Sequence, residues 1–305
     1  MGWRALGAVK GRFMDNPDFL RSVLILPANV ERFVRKAPEV GADAVCLDLE
    51  DSVPITEKDA ARRHAAEAVI ALPKTGYLLF VRVNGQSTGL MEDDLIAVVR
   101  PGLDGVILSK TESPDHIRRA DHYLTVLERQ RGLPAGTVRL IALVESALGI
   151  ARAFEICSAS PRLSAALFGA EDFAADMGVE RTGEGREVVW ARSLMAVACR
   201  ASGIAAIDTP ATAYADEAAL EADMLLGRSL GYCGKLCIHP AQVSVANRVF
   251  TPSPAQLEEA RQLVETFERE ALAKGRASIA IGGKMVDTPM YERAKRLLRS
   301  VKPLD

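Results

Sequence analysis

The stretch Arg139–Val144 reads RLIALV, a nearly continuous apolar run, and the charged side chain of Glu145 follows it. Apolar runs of this kind are typical of strands covered on both faces, as in a parallel sheet. Seven similar runs occur along the chain, and they are Ser22–Leu26, Ala44–Leu49, Tyr77–Val83, Gly105–Leu108, Ala165–Phe168, Ile204–Ile207 and Lys235–Ile238. Segments rich in Ala, Glu and Arg, such as Thr56–Ala71, separate the runs and favour helices. Eight βα units in series predict an α/β fold, the (β/α)8 TIM barrel.

A doubly wound open sheet is the alternative for such a series of units. No G-x-G-x-x-G motif follows the first run and no phosphate-binding G-x-x-x-x-G-K-[ST] loop occurs in the sequence. We therefore expect an N-terminal extension at residues 1–20, the barrel at 21–250 and a C-terminal helical lid or arm at 251–305. Within the arm, Ala255–Lys274 and Pro289–Arg299 are predicted to be helices, and Ala280–Lys284 a flexible loop.

The composition excludes several classes of protein. Of the 305 residues, 49% are hydrophobic and 26% are charged, which is typical of a globular protein. A net charge of −2 and an aromatic content of 5% argue against nucleic acid as a partner. No apolar stretch is long enough to predict a membrane span. The five cysteines lie mostly in apolar runs and indicate free thiols in a reducing compartment, so a cytoplasmic location is expected.

Polar and charged side chains follow nearly every predicted strand. In chain order they are Asp48, Glu50, Asp51, Arg82, Asn84, Lys110, Glu145, Glu171, Asp172, Asp208 and His239. Buried charges need a partner or a metal ion, so these residues are hard to explain as core. Because active sites of (β/α)8 barrels lie at the carboxyl ends of the strands, we predict the site at this end.

Two of these carboxylates suggest a metal site. Glu145 and Asp172 follow consecutive strands, and no Cys or His pair accompanies them. Hard oxygen ligands in this number suit Mg²⁺, which keeps waters that a substrate can displace. The alternatives are a salt bridge from Glu145 to Lys110 or Arg82, and a role for Asp172 in the first turn of a helix.

Two interpretations are open for each of three cationic or titratable side chains. The fork of Arg82 suits a substrate carboxylate or a polarised carbonyl, or else a structural pair with Asp48 or Glu50. Lys110 either forms an imine with a keto substrate or, as the more common arrangement, pairs with acids. His239 precedes a proline and is expected to form hydrogen bonds at the strand end rather than to act in catalysis.

Seven segments together resemble the citrate lyase β-subunit-like branch of the HpcH/HpaI aldolase superfamily, which includes malyl-CoA and citramalyl-CoA lyases. They are Arg21–Ala28, Gly41–Val53, Val81–Gly85, Ala142–Gly149, Phe168–Gly178, Gly231–Gln242 and Gly283–Pro289. They occur in family order from about residue 21 to residue 300. One departure is Ser109, because the family usually has proline before the lysine that matches Lys110.

The resemblance implies roles for the residues at the barrel mouth. Glu145 and Asp172 match the Mg²⁺ ligands of the family, with Mn²⁺ as a substitute metal. Arg82 matches the arginine that holds the reacting oxygens. Glu50 and Asp51 match an acidic pair that supports metal-bound waters and that arginine.

The resemblance also implies contributions from outside the barrel mouth. Asp287 matches an aspartate that the C-terminal tail delivers to a neighbouring subunit, which implies a homotrimer or a hexamer. From the residues alone, Asp287 would be a turn residue before Pro289. Arg32 and Lys36 follow the first strand, where the family places coenzyme A.

The activity implied is a Mg²⁺-dependent carbon–carbon lyase that reversibly cleaves a 3-hydroxy-3-carboxyacyl-CoA to acetyl-CoA and a 2-oxo acid. The acyl group is malyl, citramalyl or citryl. The alternatives are a condensation or thioesterase enzyme, a class II pyruvate aldolase, and a catalytically silent subunit. An acyl carrier protein is the alternative carrier to coenzyme A.

Overall fold

A closed barrel of parallel strands forms the main body of the protein. The computed structural model describes residues 20–73, 76–212, 214–271, 273 and 276–300. Within them, each barrel strand pairs with the next and the eighth pairs with the first. The strands are β1 (Ser22–Pro27), β2 (Ala44–Asp48), β3 (Leu78–Val83), β4 (Gly105–Leu108), β5 (Arg139–Val144), β6 (Leu163–Phe168), β7 (Ala205–Asp208) and β8 (Gly234–Cys237). This closure confirms the (β/α)8 barrel and excludes the open sheet. All but the last residue of the expected extension at 1–20 lies outside the described residues.

Helices follow the strands along the chain. They are α1 (Glu31–Lys36), α2 (Lys58–Ala71), α3 (Met91–Val98), α4 (Pro114–Gln130), α5 (Ala147–Ala151), α6 (Ala153–Cys157), α7 (Ala170–Asp176), α8 (Arg186–Ser202), α9 (Glu217–Leu230) and α10 (Pro240–Val249). Local sequence sets their starts, as at α4, where the Ser113 side chain caps the N–H of His116 and Pro114 occupies the first turn. The helix predicted at Thr56–Ala71 begins later, at Lys58, because Ile55–Glu57 forms a separate 3-10 turn.

Alternate strand residues point into the barrel and pack as one core. The buried strand members of this core are Val23, Ala44, Cys46, Leu78, Phe80, Ile107, Ile141, Leu143, Ala165, Leu167, Ala205, Ile207 and Leu236. Side chains on one face of a strand recur every second residue. Asp48, Arg82 and Glu145 each lie two residues beyond a core member. The inward-facing rows therefore change from apolar to charged at the carboxyl end of the barrel.

A second set of charged residues lies one position along the strand from inward-facing core residues, and these side chains face the helix layer. Asp208 and Lys235 are fully buried, and the Nζ of Lys235 lies 3.0 Å from Oδ2 of Asp208. Arg192 of α8 donates from Nε to Oδ1 of Asp208 at 2.8 Å, and Asp223 of α9 accepts from Lys235 Nζ at 2.6 Å. These ion pairs connect β7 and β8 to their helices, so Asp208 does not point into the mouth.

Residues from Phe250 onward form a second compact unit. Its elements are α11 (Pro254–Glu270), β9 (Ser278–Ile281), β10 (Lys284–Asp287) and α12 (Thr288–Arg299). The ring of Phe267 is fully buried and stacks on that of Tyr291, with centroids 4.9 Å apart. The two helices agree with the predicted ones, except that α11 ends at Glu270.

The prediction of a flexible loop at Ala280–Lys284 is wrong. β9 and β10 pair antiparallel, with Lys284 opposite Ile281, so that two residues form the turn. Gly282 and Gly283 have φ values of 55° and 78°, the left-handed conformation that both central residues of a type I′ hairpin turn need. The segment is therefore an ordered hairpin. No helix in the described part of the chain has the length and hydrophobicity to span a membrane.

Candidate active site

The side chain of Arg82 is clamped by a buried carboxylate. Arg82 donates from Nε to Oδ1 of Asp48 at 2.6 Å and from Nη2 to Oδ2 at 2.7 Å, a bidentate pair. Asp48 also accepts the hydroxyl of Ser52 at 2.5 Å and the amide of Glu50 at 2.9 Å. Burial opposes ionisation of Asp48, but the guanidinium holds the pKa of that carboxyl below its ordinary value. The structural pair weighed from the sequence is present, and it fixes the direction of Arg82.

The remaining nitrogen of Arg82 faces the mouth residues. Its Nη1 lies 3.2 Å from Oε2 of Glu50. Burial raises the pKa of Glu50 to about 7, with a smaller contribution from Asp51 and against the opposing charges of Arg82 and Lys110. Glu50 is thus buried next to the arginine, whereas Asp51 is exposed.

Glu145 lies between the ends of the two neighbouring strands. It is buried, and its Oε1 accepts the backbone N–H of Lys110 at 2.9 Å. A Cβ added to Gly169, after β6, would lie 2.6 Å from Oε2 of Glu145. Only glycine therefore leaves room for this carboxylate. Burial, followed by the charge of Asp172, raises the pKa of Glu145 to about 8.

Lys110 bridges the acidic residues. Its Nζ lies 2.6 Å from Oδ1 of Asp172, 3.4 Å from Oδ2 of Asp51 and 3.8 Å from Oε1 of Glu50. Burial opposes its charge, but the hydrogen bond to Asp172 and the nearby carboxylates raise the pKa of Lys110 above its ordinary value. The expected pairing of this lysine with acids is confirmed. Asp172 also occupies the first turn of α7, as its alternative reading had it.

The donor set at the mouth fits a divalent cation. Five carboxylates surround two cationic side chains, and they are Asp48, Glu50, Asp51, Glu145 and Asp172. The oxygens of Glu145 and Asp172 are hard ligands. Burial and the charge of Asp172 both disfavour the ionised form of Glu145, and a cation between the two carboxylates would offset these effects. Among the described residues, no three acidic, imidazole or thiol groups form a complete cage. Mg²⁺ suits such a site because it commonly takes only one or two carboxylates and keeps its waters.

A group of three polar residues, Lys58, Asn84 and Asp94, holds the loop after β2. Of these, Lys58 and Asp94 were not predicted from the sequence. Lys58 donates from Nζ to the carbonyls of Leu49 and Glu50, each at 2.7 Å, and to Oδ1 of Asn84 at 2.8 Å. Asp94 is buried and accepts the side-chain amide of Asn84 at 2.6 Å. Lys58 and Asp94 lie on α2 and α3, so strand-end position gave no signal for them.

Arg32, Lys36 and His239, which were also predicted from the sequence, have local surroundings of their own. Arg32 and Lys36 are exposed on α1, and the guanidinium of Arg32 lies 4.8 Å from the ring centroid of Phe33. His239 stacks on Tyr214 with centroids 4.4 Å apart, and its Nδ1 accepts the N–H of Ala241 at 3.2 Å. The role expected for His239, local hydrogen bonding after β8, agrees with these contacts.

Asp287 belongs to the C-terminal unit and caps a helix there. It is exposed, and its Oδ1 accepts the N–H of Met290 at 3.2 Å, at the start of α12. The sequence alone suggested a turn residue before Pro289, and the observed role is that of a helix N-cap. Its delivery to a neighbouring subunit stays a prediction.

Comparisons with known proteins agree with the fold and identify the family. Residues 21–240 match the family model described as HpcH/HpaI aldolase/citrate lyase. A citrate lyase subunit beta-like protein of Deinococcus radiodurans is 41% identical, over 92% of this chain and 97% of its own. An L-malyl-CoA/beta-methylmalyl-CoA lyase of Rhodobacter capsulatus is 33% identical, over 92% and 94%. The structure of CitE from Mycobacterium tuberculosis with magnesium, acetoacetate and coenzyme A superposes with a TM-score of 0.73 at 30% identity, covering 92% of this chain and 97% of that one. The chain belongs to the HpcH/HpaI aldolase/citrate lyase family of carbon–carbon lyases.

Proposed function

We propose that the protein is a Mg²⁺-dependent lyase that reversibly cleaves a 3-hydroxy-3-carboxyacyl-CoA to acetyl-CoA and a 2-oxo acid. The observation that carries this proposal is the clamped guanidinium of Arg82 at the carboxyl end of the barrel, where Lys110 links the carboxylates of Glu145 and Asp172. The names of the relatives support a CoA thioester as substrate, since one is a lyase of malyl-CoA and beta-methylmalyl-CoA. A related structure contains magnesium and coenzyme A.

Glu145 and Asp172 are the proposed protein ligands of the metal ion. A Mg²⁺ ion held by these two residues would act as a Lewis acid toward a bound 2-oxo acid. Glu145 is fixed for this task by the N–H of Lys110 and by the space that Gly169 leaves. Glu50 and Asp51 are proposed to accept hydrogen bonds from waters at the site. Replacement of Mg²⁺ by Mn²⁺ stays a prediction.

Arg82 is proposed to stabilise the enolate of acetyl-CoA, which forms when the carbon–carbon bond breaks. Two hydrogen bonds to Asp48 fix its guanidinium before substrate binds, so little reorganisation is needed as charge develops. Burial opposes its charge, but Asp48 raises the pKa of Arg82 above its ordinary value. Arg82 therefore stays a cation throughout the reaction.

Asp287 is the proposed group that exchanges a proton with the methyl carbon of acetyl-CoA. In the condensation direction its carboxylate accepts the proton, and the resulting carbanion attacks the carbonyl carbon of the 2-oxo acid. In cleavage the 3-hydroxyl gives its proton to water as the carbon–carbon bond breaks and the carbonyl of the 2-oxo acid forms, and the carboxylic acid of Asp287 gives a proton to the enolate carbon. We propose that it comes from a neighbouring subunit, in a homotrimer or a hexamer.

Coenzyme A is proposed to bind at α1. Arg32 and Lys36 are exposed there and carry positive charge that suits phosphate groups. Cleavage of a substrate carried on an acyl carrier protein would depend less on binding by these two side chains. Loss of cleavage of CoA thioesters in Arg32→Gln and Lys36→Gln variants, with folding unchanged, would support the assignment.

The substrate and the reaction type can be determined in one panel. Purified protein with Mg²⁺ is incubated with malyl-, citramalyl- and citryl-CoA, and the products are separated by liquid chromatography and mass spectrometry. Equal amounts of acetyl-CoA and a 2-oxo acid from one thioester are expected, with Glu145→Gln as the inactive control. Free CoA with an intact acid would identify a thioesterase instead. Cleavage of none of the thioesters, with aldol products from pyruvate and an aldehyde, would reject the proposal.

A further inference from the structure

Lys110 contacts both proposed metal ligands with two different groups. Its backbone N–H donates to Oε1 of Glu145 at 2.9 Å, and its Nζ lies 2.6 Å from Oδ1 of Asp172. Its φ of 51° is in the left-handed region, which residues other than glycine adopt at a cost. Strained backbone of this kind persists where the surroundings hold it, and it is common at functional sites.

The neighbours of Lys110 are built around its position. A Cβ added to Gly85 would lie 3.1 Å from Cβ of Lys110 and 3.4 Å from its Cγ, so the glycine makes room for the stem. Ser109 is buried and donates its hydroxyl to the carbonyl of Val83 at 2.8 Å. On the other side, the N–H of Thr111 donates to the carbonyl of Leu143 at 3.0 Å. The residues on both sides of Lys110 are thus tied to adjacent strands.

The ammonium group occupies the centre of the acidic cluster. Asp172, Asp51 and Glu50 lie within 4 Å of Nζ, and Glu145 accepts the backbone N–H of the same residue. Without this positive charge the carboxylates would repel one another. A divalent cation at Asp172 neutralises the same carboxylates and repels the ammonium, so the two compete for one carboxylate.

We propose that Lys110 is the built-in counter-ion of the metal-free site and is displaced from Asp172 when a divalent cation binds. The inference rests on the proposed function, because it takes Glu145 and Asp172 as the metal ligands. Lys110 is then a positioning residue. It keeps the acidic cluster in place between turnovers, at the expense of a lower affinity for the metal.

Calorimetric titration of chelator-treated protein with Mg²⁺ tests this inference. Lys110→Gln is expected to bind Mg²⁺ about thirtyfold more tightly than the unmodified protein, the factor for a single and a double positive charge about 4 Å apart in near-aqueous surroundings. Lys110→Arg keeps the charge and should bind with nearly unchanged affinity. Arg118→Gln removes a charge that pairs with Asp115 on the surface of α4, and it should not change the affinity. A merely structural lysine would not raise metal affinity when it is removed.

A second readout separates charge from backbone strain. In chelator, Lys110→Gln should melt at a lower temperature than the unmodified protein, and Mg²⁺ should raise its melting temperature by a larger amount. Lys110→Gly also lacks the ammonium but accepts a φ of 51° without strain. It should show the same tighter binding, and it decides the matter if Lys110→Gln does not fold.

The outcomes distinguish this inference from the proposed function. If the unmodified protein binds Mg²⁺ and the charge-removing variants bind it equally or more weakly, the counter-ion role is wrong and the metal site stands. Tighter binding in Lys110→Gly alone, with Lys110→Gln folded and unchanged, would assign the effect to the backbone and reject the role of the charge. If the unmodified protein binds no Mg²⁺ at millimolar concentration, the proposed metal site fails and the inference fails with it.

Discussion

The substitution Gly169→Ala should damage the proposed metal site through a single added methyl group. Gly169 has φ −102° and ψ 92°, values that alanine adopts, so backbone strain is not expected. The added carbon would lie 2.5 Å from Cβ of Glu145 and 2.6 Å from its Oε2. Because non-bonded carbons settle at about 3.5–4.0 Å, Glu145 must move by roughly 1 Å.

A displacement of this size has two expected consequences. Misplacing a positioning group by about 1 Å can reduce the rate by about 10²-fold, so kcat/KM for the CoA thioester should fall by about that factor. Overpacking a dense interior typically costs about 1–3 kcal/mol, so the free energy of unfolding should fall by this amount. The Mg²⁺ concentration for half-maximal activity should rise. Steady-state kinetics at several Mg²⁺ concentrations and urea denaturation measure these quantities.

Gly183→Ala is the matched control, since a Cβ at this exposed turn residue meets no heavy atom within 4 Å. It should leave kinetics and stability nearly unchanged. If Gly169→Ala were as active as the control, with the same Mg²⁺ dependence, the position of Glu145 would not matter for the reaction and the assignment of Glu145 as a ligand would be wrong.

Three further predictions concern the arginine clamp and the C-terminal aspartate. Arg82→Lys should lower kcat by about 10²-fold or more, because one preorganised donor contributes roughly 2.7–4 kcal/mol; a variant that unfolds more easily but keeps its rate per folded molecule would indicate a structural arginine. Asp48→Asn should lower the free energy of unfolding by about 3–5 kcal/mol, since it removes the bidentate carboxylate partner of a buried guanidinium. Urea denaturation measures this, and a change within about 0.5 kcal/mol would contradict the clamp. Asp287→Ala and Glu145→Gln should each be inactive, yet mixed and reassembled they should regain part of the activity. Mixed oligomers seen by native mass spectrometry without that recovery would show that Asp287 acts within its own chain or not at all.

The strands could be predicted from the sequence because they are buried on both faces. All eight apolar runs are strands, and their bounds differ from the predictions by at most two residues, as at β6, which begins at Leu163 rather than Ala165. The hairpin in the C-terminal unit was missed because its strands have only four residues each and are partly exposed. The Gly282-Gly283 pair is typical of a two-residue hairpin turn. Two adjacent glycines are also typical of a flexible loop, which is why the loop was predicted there.

Only the site residues at or just after the end of a strand could be predicted from the sequence. Arg82, Glu145 and Asp48 continue the inward-facing rows, so their meeting at the mouth follows from the two-residue period. Lys58 and Asp94 come from helices, and their contacts depend on how those helices pack. Local spacing does not encode that packing. The homotrimer and the cytoplasmic location stay predictions.

The central claim is that Glu145 and Asp172 hold a divalent cation on which cleavage of a CoA thioester depends. The most direct test measures acetyl-CoA release from the preferred thioester before and after treatment with excess EDTA, and again after Mg²⁺ is restored. The account predicts that EDTA abolishes activity, that Mg²⁺ restores it, and that Glu145→Gln and Asp172→Asn bind Mg²⁺ weakly and do not recover. Full activity in EDTA, together with trapping of a substrate on Lys110 by borohydride, would contradict the account and favour imine chemistry.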